Sequence, residues 1–176
     1  MGNNQIVDFS IEELKLASLF IKENIVIDNS KRKTANTSKH SRITIANYFI
    51  QNARSCNDLG LKMTSYCSAL ETLFSNDSTE LSHKLAERVA HFLSTNKAER
   101  IVIFKFIKKA YDIRSKIVHG ATIKDNHIDG LESLLIEMDN TCRKIINYAF
   151  SKSDKENVFG WSNEKHEEYF LDLIMT

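Results

Sequence analysis

No proline occurs anywhere in the 176 residues. Proline is the strongest helix breaker, because it lacks the N–H of the i→i−4 bond and its ring crowds the preceding turn. Without it, glycine is the main punctuation, and the five glycines stand at 2, 60, 120, 130 and 160. Long stretches between them carry apolar residues at helical spacing, with no β-hairpin signal and no internal repeat. The chain therefore reads as all-α, a helical bundle with long antiparallel members. A chain of this length suits one domain and hides about 70% of its unfolded surface on folding, enough for a core without staples. With 42% hydrophobic residues and a net charge of +1, disorder of the whole chain is excluded.

The cysteines are Cys56, Cys67 and Cys142, an odd number without metal-type spacing. Such thiols suit a reducing compartment, where they pack as small hydrophobes. The first residues show no charged start followed by an apolar run, and Ile6 argues against myristoylation at Gly2. No run of eighteen apolar residues occurs. The expectation is a cytoplasmic protein without a membrane segment, metal or cofactor.

Ser10-Ile11-Glu12-Glu13 forms a capping box that opens a first helix fading near Asp28. Residues 30–42 read SKRKTANTSKHSR, five basic and no acidic, a basic connector. The expected division is residues 1–42 as N-terminal helix and connector, and 43–176 as the helical domain. Further helices are expected from Ile43 to Asn57, after Gly60 through Phe74, from Ser78 past Phe92, and from Lys97 to His119. Two more run from Ile128 to Ser151 and from Ser162 to Met175. Gly120 follows the fifth helix as a left-handed cap.

The fifth helix carries the informative residues. At 100° per residue, Ile103, Phe104, Ile107, Ala110, Tyr111, Ile117 and Val118 share an apolar half, opposite Lys105, Lys108, Lys109, Asp112 and Lys116. Arg114 falls inside the apolar half, and an unpaired guanidinium there would cost several kcal/mol. It needs a carboxylate, a subunit interface or an anion, and such breaks in patterning often mark functional sites. His119 closes the helix about 140° away, with Ser115 on the arc between. Residues 97–119 hold seven Lys/Arg and two Asp/Glu, a local +5 against −4 for the remainder. That strip fits a polyanion partner, but charge alone favours an ordinary solvated face.

Tyr111-Asp112-Ile113-Arg114-Ser115-Lys116-Ile117-Val118-His119-Gly120 resembles the signature of Apea-like HEPN domains. The segments Ala69-Leu70-Glu71-Thr72-Leu73-Phe74 and Leu85-Ala86-Glu87-Arg88-Val89-Ala90 are similar to that family's preceding helices. The similarity runs from about Ile43 to the C-terminus. It implies a HEPN-type helical bundle that forms a homodimer and brings two Arg-x4-6-His motifs together. It further implies a metal-independent endoribonuclease, of the kind found in toxin, antiviral defence and RNA-processing systems. An antitoxin or regulatory protein is then a further partner. Carried over, Arg114 and His119 match the catalytic pair, and Glu71 and Arg88 match polar positions of the flanking helices. Ser115 stands where many catalytic members have Asn, Asp or His.

The chemistry such a pair can perform is attack of an RNA 2′-OH on the adjacent phosphate, leaving a 2′,3′-cyclic end. His119 would move protons, Arg114 would stabilise the phosphorane, Ser115 and Tyr111 would support them, and Lys108 and Lys116 would hold RNA. Against this stands an architectural reading, with Arg114 ion-paired to Glu71 and His119 a helix C-cap. A non-catalytic HEPN module that binds RNA or protein and dimerises is the functional alternative. Glu80-x-x-His83 lacks the second copy that a di-iron bundle requires. Cys56 and Cys67 read as core residues on apolar helices, and Trp161 as an anchor for the last helix or a dimer contact.

Overall fold

The computed structural model describes residues 10–15, 18, 40–76, 81–121, 130–153 and 155–175. The chain divides into two compact units, Met1–Thr34 and Ala35–Thr176. In the first, Ser10 and Glu13 form the expected capping box. The Ser10 N–H and hydroxyl donate to Glu13 Oε2 at 2.8 and 2.9 Å, and the Glu13 N–H returns to Ser10 Oγ at 3.2 Å.

The second unit holds α1 (Arg42–Ser55), α2 (Leu59–Phe74), α3 (Leu81–Leu93), α4 (Lys97–Val118), α5 (Leu131–Ser151) and α6 (Asn163–Met175). A 3-10 turn, Val158–Gly160, precedes α6 and was not expected. Among the described residues there is no strand, and no helix is long and apolar enough to cross a membrane. The molecule is an all-α bundle. The expected starts at Ser78 and Ile128, and most of the basic connector, lie outside the described residues.

Side-chain caps set the helix starts. Ser41 Oγ accepts the Thr44 N–H at 3.2 Å, Asp58 Oδ1 the Leu61 N–H at 2.7 Å, and Asn96 Oδ1 those of Ala98 and Glu99 at 2.8 and 3.2 Å. Two boundaries differ from expectation. Gly60 lies inside α2 rather than before it, because Asp58 caps from further upstream and a Cβ at position 60 would stand 3.0 Å from Ile117 Cδ1. The glycine admits α4 rather than ending a segment. Arg42, placed in the connector from its sequence, is the first residue of α1 and is tied into the core.

Helix α2 is central and packs against α1, α3, α4 and α5. Eight of its residues are buried, Met63, Ser65, Tyr66, Cys67, Ala69, Leu70, Leu73 and Phe74. Such all-round burial marks a helix enclosed by the others. At its end, Phe74 meets Phe92, Phe159 and Phe170 at ring separations of 5.3–5.5 Å. These edge-on and tilted contacts fix the 3-10 turn and α6 against the core.

The last carbonyls of any helix lack intrahelical partners. In α2 they are met by side chains from three other helices. Arg42 Nη1 donates to Thr72 O and Ser75 O, both at 3.1 Å. His166 Nε2 lies 2.8 Å from Leu73 O, and Arg88 Nη1 donates to Phe74 O at 2.7 Å. Arg88 also pairs with Glu167, and Arg42 reaches Asn76 and Asn163. Asn76 Nδ2 stands 3.1 Å from His166 Nδ1, so a neutral imidazole with its proton on Nε2 satisfies both neighbours. Burial and the adjacent Arg42 push the His166 pKa down to about 4.

A second polar cluster joins α1, α2 and α5. The Asp139 carboxylate accepts from Arg54 Nε at 2.8 Å, Tyr66 Oη at 2.9 Å and Arg143 Nε at 2.5 Å. Burial works against the Asp139 anion, but these donors outweigh it and hold its pKa below the ordinary value.

Because the folded-state pKa of His166 lies below its unfolded value, the unfolded chain binds the extra proton first as pH falls. The stability linked to this imidazole is complete above about pH 6.5 and is lost as pH falls toward about 4. Urea unfolding of wild type at pH 7 and pH 5, beside His166→Asn, measures this. We expect the variant to be destabilised at pH 7 by about 1–3 kcal/mol and to show a smaller further loss at pH 5.

Candidate functional site

Helix α4 turns Phe106, Ile107, Ala110 and Ile113 inward. The buried arc is thus rotated from the apolar half inferred from the sequence, and it leaves Ile103, Phe104, Tyr111 and Ile117 half-buried and Val118 exposed. Arg114 consequently sits at the margin of the buried face. Its side chain is 23% exposed, and Nη2 lies 3.5 Å from Oε1 of Glu71, whose side chain is 19% exposed. The guanidinium carbon stands 5.2 Å from the centroid of the Tyr111 ring.

The group is charge-balanced but short of hydrogen bonds. Arg114 Nε and Glu71 Oε1 are both buried and neither has a hydrogen-bond partner. A separation of 3.5 Å gives Coulomb attraction without the charge-assisted hydrogen bond that a shorter pair makes. Burial, followed by the nearby Glu71 carboxylate, pushes the Tyr111 phenol up to about 12. Tyr111 therefore stays a hydrogen-bond donor at any physiological pH.

His119 occupies the C-cap of α4, one residue after the last helical position. The chain leaves the helix through a Schellman motif. Gly120 has φ +68°, its N–H donates to Ile117 O at 3.1 Å, and the Ala121 N–H donates to Lys116 O at 2.8 Å. The left-handed cap read from the sequence is present. The His119 N–H is held by Ser115 O at 3.0 Å, while the His119 residue is exposed. Ser115 is half-buried and Lys116 is exposed.

The structure thus brings Glu71, Tyr111 and Arg114 together and sets Ser115 and His119 further along the same helix. Arg88 belongs elsewhere. Its side chain is 6% exposed and its bonds go to Phe74 O and Glu167, so it caps α2 rather than supporting Arg114. Lys108 donates to Ser82 Oγ at 3.0 Å and lines a cleft of about 580 Å³ with Leu81, Ser82, His83 and Tyr111. No sequence pattern joins the start of α3 to this site.

Among the described residues no group of three His, Cys, Asp or Glu could hold a metal ion, and Glu80 lies outside them. Cys67 and Cys142 are buried as expected, whereas Cys56 follows the end of α1 and is half-exposed. Trp161 donates to Lys155 O at 3.0 Å and packs edge-on against Tyr169, fastening the start of α6. No protein-family model, curated protein or solved structure matches the chain.

Two substitutions probe this arrangement. Arg114→Met leaves Glu71 without its cation and is expected to cost about 1–2 kcal/mol, the partial exposure of both groups reducing the penalty. Adding Glu71→Gln should restore part of the loss, giving a positive coupling in a double-mutant cycle of urea midpoints. Gly120→Ala should cost about 1 kcal/mol through the left-handed backbone alone, read as a lowered thermal midpoint.

Proposed function

We propose that the chain is a metal-independent endoribonuclease of the HEPN type, acting as a homodimer that brings two copies of Arg114 and His119 to one RNA phosphodiester. The observation that carries this reading is the state of Arg114. It is a cation held against Tyr111 and Glu71 at the margin of the core, its side chain still 23% exposed and 3.5 Å from its carboxylate partner. It lies five residues before an exposed histidine at the end of the same helix. Support also comes from the resemblance of residues 111–120 to the HEPN signature and from the basic surplus of α4.

In this reading one His119 accepts the proton of the 2′-OH as that oxygen bonds to phosphorus. Its dimer mate donates a proton to the departing 5′-oxygen. The products are a 2′,3′-cyclic phosphate and a free 5′-hydroxyl, with atoms and protons balanced. Arg114 offers its donors to the non-bridging oxygens as they gain charge. Lys108 and Lys116 hold neighbouring phosphates. The antiparallel helix order, a cytoplasmic setting, a role as toxin or antiviral effector and control by an antitoxin belong to the same proposal.

Two observations favour a second reading, a non-catalytic HEPN module. Glu71 balances the charge of Arg114, and His119 closes the helix through its backbone. Both features match an architectural pair. In that case α4 binds RNA or a protein without cutting it.

The test uses purified full chain with RNA in chelator. Wild type should cut and leave a 2′,3′-cyclic end, and His119→Ala should lower the rate by about 10²–10⁴. A 2′-deoxy substitution at the cleaved position should abolish cutting. Equal cutting of the deoxy substrate, or equal cutting by His119→Ala, overturns the nuclease. Absence of cutting with RNA binding retained supports the module.

A further inference from the structure

The cleft beside Tyr111 has a chemistry of its own. Its walls are Leu81, Ser82 and His83 at the start of α3 and Lys108 and Tyr111 on α4. The polar groups among them are an ammonium, an imidazole and two hydroxyls, and among the described residues no carboxylate lines the cleft. Lys108 is half-buried, and its hydrogen bond goes to a neutral partner, Ser82 Oγ. An ammonium has three donors, so this one keeps donors for a further ligand. His83 is steadied by an edge-on contact with Phe104, their ring centroids 5.2 Å apart. Leu81 and the Tyr111 ring add apolar surface. The cleft, about 580 Å³ and open to solvent, has room for a phosphate group.

We infer that this cleft is a phosphate-binding subsite for one nucleotide unit of an RNA strand, with Lys108, Ser82 and His83 holding the phosphate and Leu81 and Tyr111 flanking the sugar or base. The inference deepens the proposed function by adding His83 and Ser82 to the residues that contact substrate. It rests on the reading of α4 as an RNA-contacting helix, but not on cleavage. Lys108 supplies permanent charge, His83 a second donor, and Ser82 a hydroxyl already aligned with Lys108. Tyr111 borders both the cleft and Arg114, so a strand seated here is led toward the guanidinium.

The test is binding of a short fluorescein-labelled 2′-O-methyl RNA, which has no free 2′-OH to attack, to wild type, Lys108→Gln, His83→Gln and His119→Ala. Salt is varied, and folding is checked by circular dichroism. Lys108→Gln should weaken binding about tenfold across sequences and reduce the salt slope by about 0.7, the share of one phosphate contact on a single strand. His83→Gln should weaken binding several-fold, and Lys108→Arg should restore most of the Lys108→Gln loss. Inorganic phosphate is titrated in parallel. If phosphate binding depends on Lys108 and His83 while RNA binding does not, the cleft is a free-anion site and the RNA assignment is overturned. RNA affinity within twofold of wild type for both glutamine variants overturns the subsite altogether. Loss of cutting in His119→Ala beside unchanged RNA binding in the glutamine variants would remove the subsite and leave the nuclease standing. RNA binding that depends on Lys108 and His83, in a protein that never cuts, would do the reverse.

Discussion

The carbonyl end of α2 is the point on which the rest of the bundle depends. Four of its oxygens, from Thr72 to Ser75, accept hydrogen bonds from Arg42, His166 and Arg88. Each donor comes from a different helix, so satisfying one helix end fixes the positions of α1, α3 and α6. Two guanidiniums at a helix C-terminus agree with its partial negative charge. Their mutual repulsion is offset by the Glu167 carboxylate, which pairs with Arg88 and attracts Arg42. His166 completes the set only as a neutral imidazole, because a third positive charge in this buried place has no counter-ion of its own. The same feature that closes the helix therefore makes it sensitive to acid.

Glu71 lies in the turn of α2 that leads into this capped end, and its carbonyl accepts the Ser75 N–H at 2.9 Å. The carboxylate meets Arg114 of α4. A rigidly capped helix end thus presents one acidic side chain to the basic helix, and the place of Arg114 follows from the architecture. Gly60 contributes at the other end of α2. Its missing side chain lets Ile117 of α4 approach closely, three residues beyond Arg114. Both ends of α2 are therefore set against the same short stretch of α4, the one that carries Arg114.

Much of the backbone was legible because its signals are local. The Ser10–Glu13 box, the start of α4 at Lys97 and the left-handed Gly120 each depend on residues within one turn. The capping cluster was not legible, since residues 42, 76, 88, 163, 166 and 167 are scattered through the chain and His166 sits in a strongly polar segment, NEKHEEYF. Only the i,i+4 relation of His166 to the buried Phe170 hints that it faces inward. The capping roles of Arg42 and Arg88 are hidden for the same reason, because sequence neighbours do not reveal which carbonyls lack partners. In the candidate site, the Arg114–Glu71 pairing was foreseen as the architectural alternative. The cleft at Ser82 and His83 was not, since it depends on how α3 and α4 cross.

The Arg114–Glu71 pair bears on both functional readings through its length. A short bidentate pair would occupy the guanidinium donors and leave nothing for a substrate. A contact of 3.5 Å balances charge without the short hydrogen bonds of a bidentate pair, and the Arg114 side chain keeps 23% exposure. Glu71 also repels any anion that approaches, and the repulsion weakens binding of a singly charged phosphodiester. On the nuclease reading the doubly charged phosphorane draws more strongly on the guanidinium than the ground state does, and Glu71 repels it more strongly as well. Only interactions that strengthen in the transition state raise the rate. On the nuclease reading, Glu71 therefore positions Arg114 without itself favouring the transition state, and holding the strand falls to lysines elsewhere on α4. On the module reading the same carboxylate keeps Arg114 in the fold, and the basic face of α4 binds its partner without it.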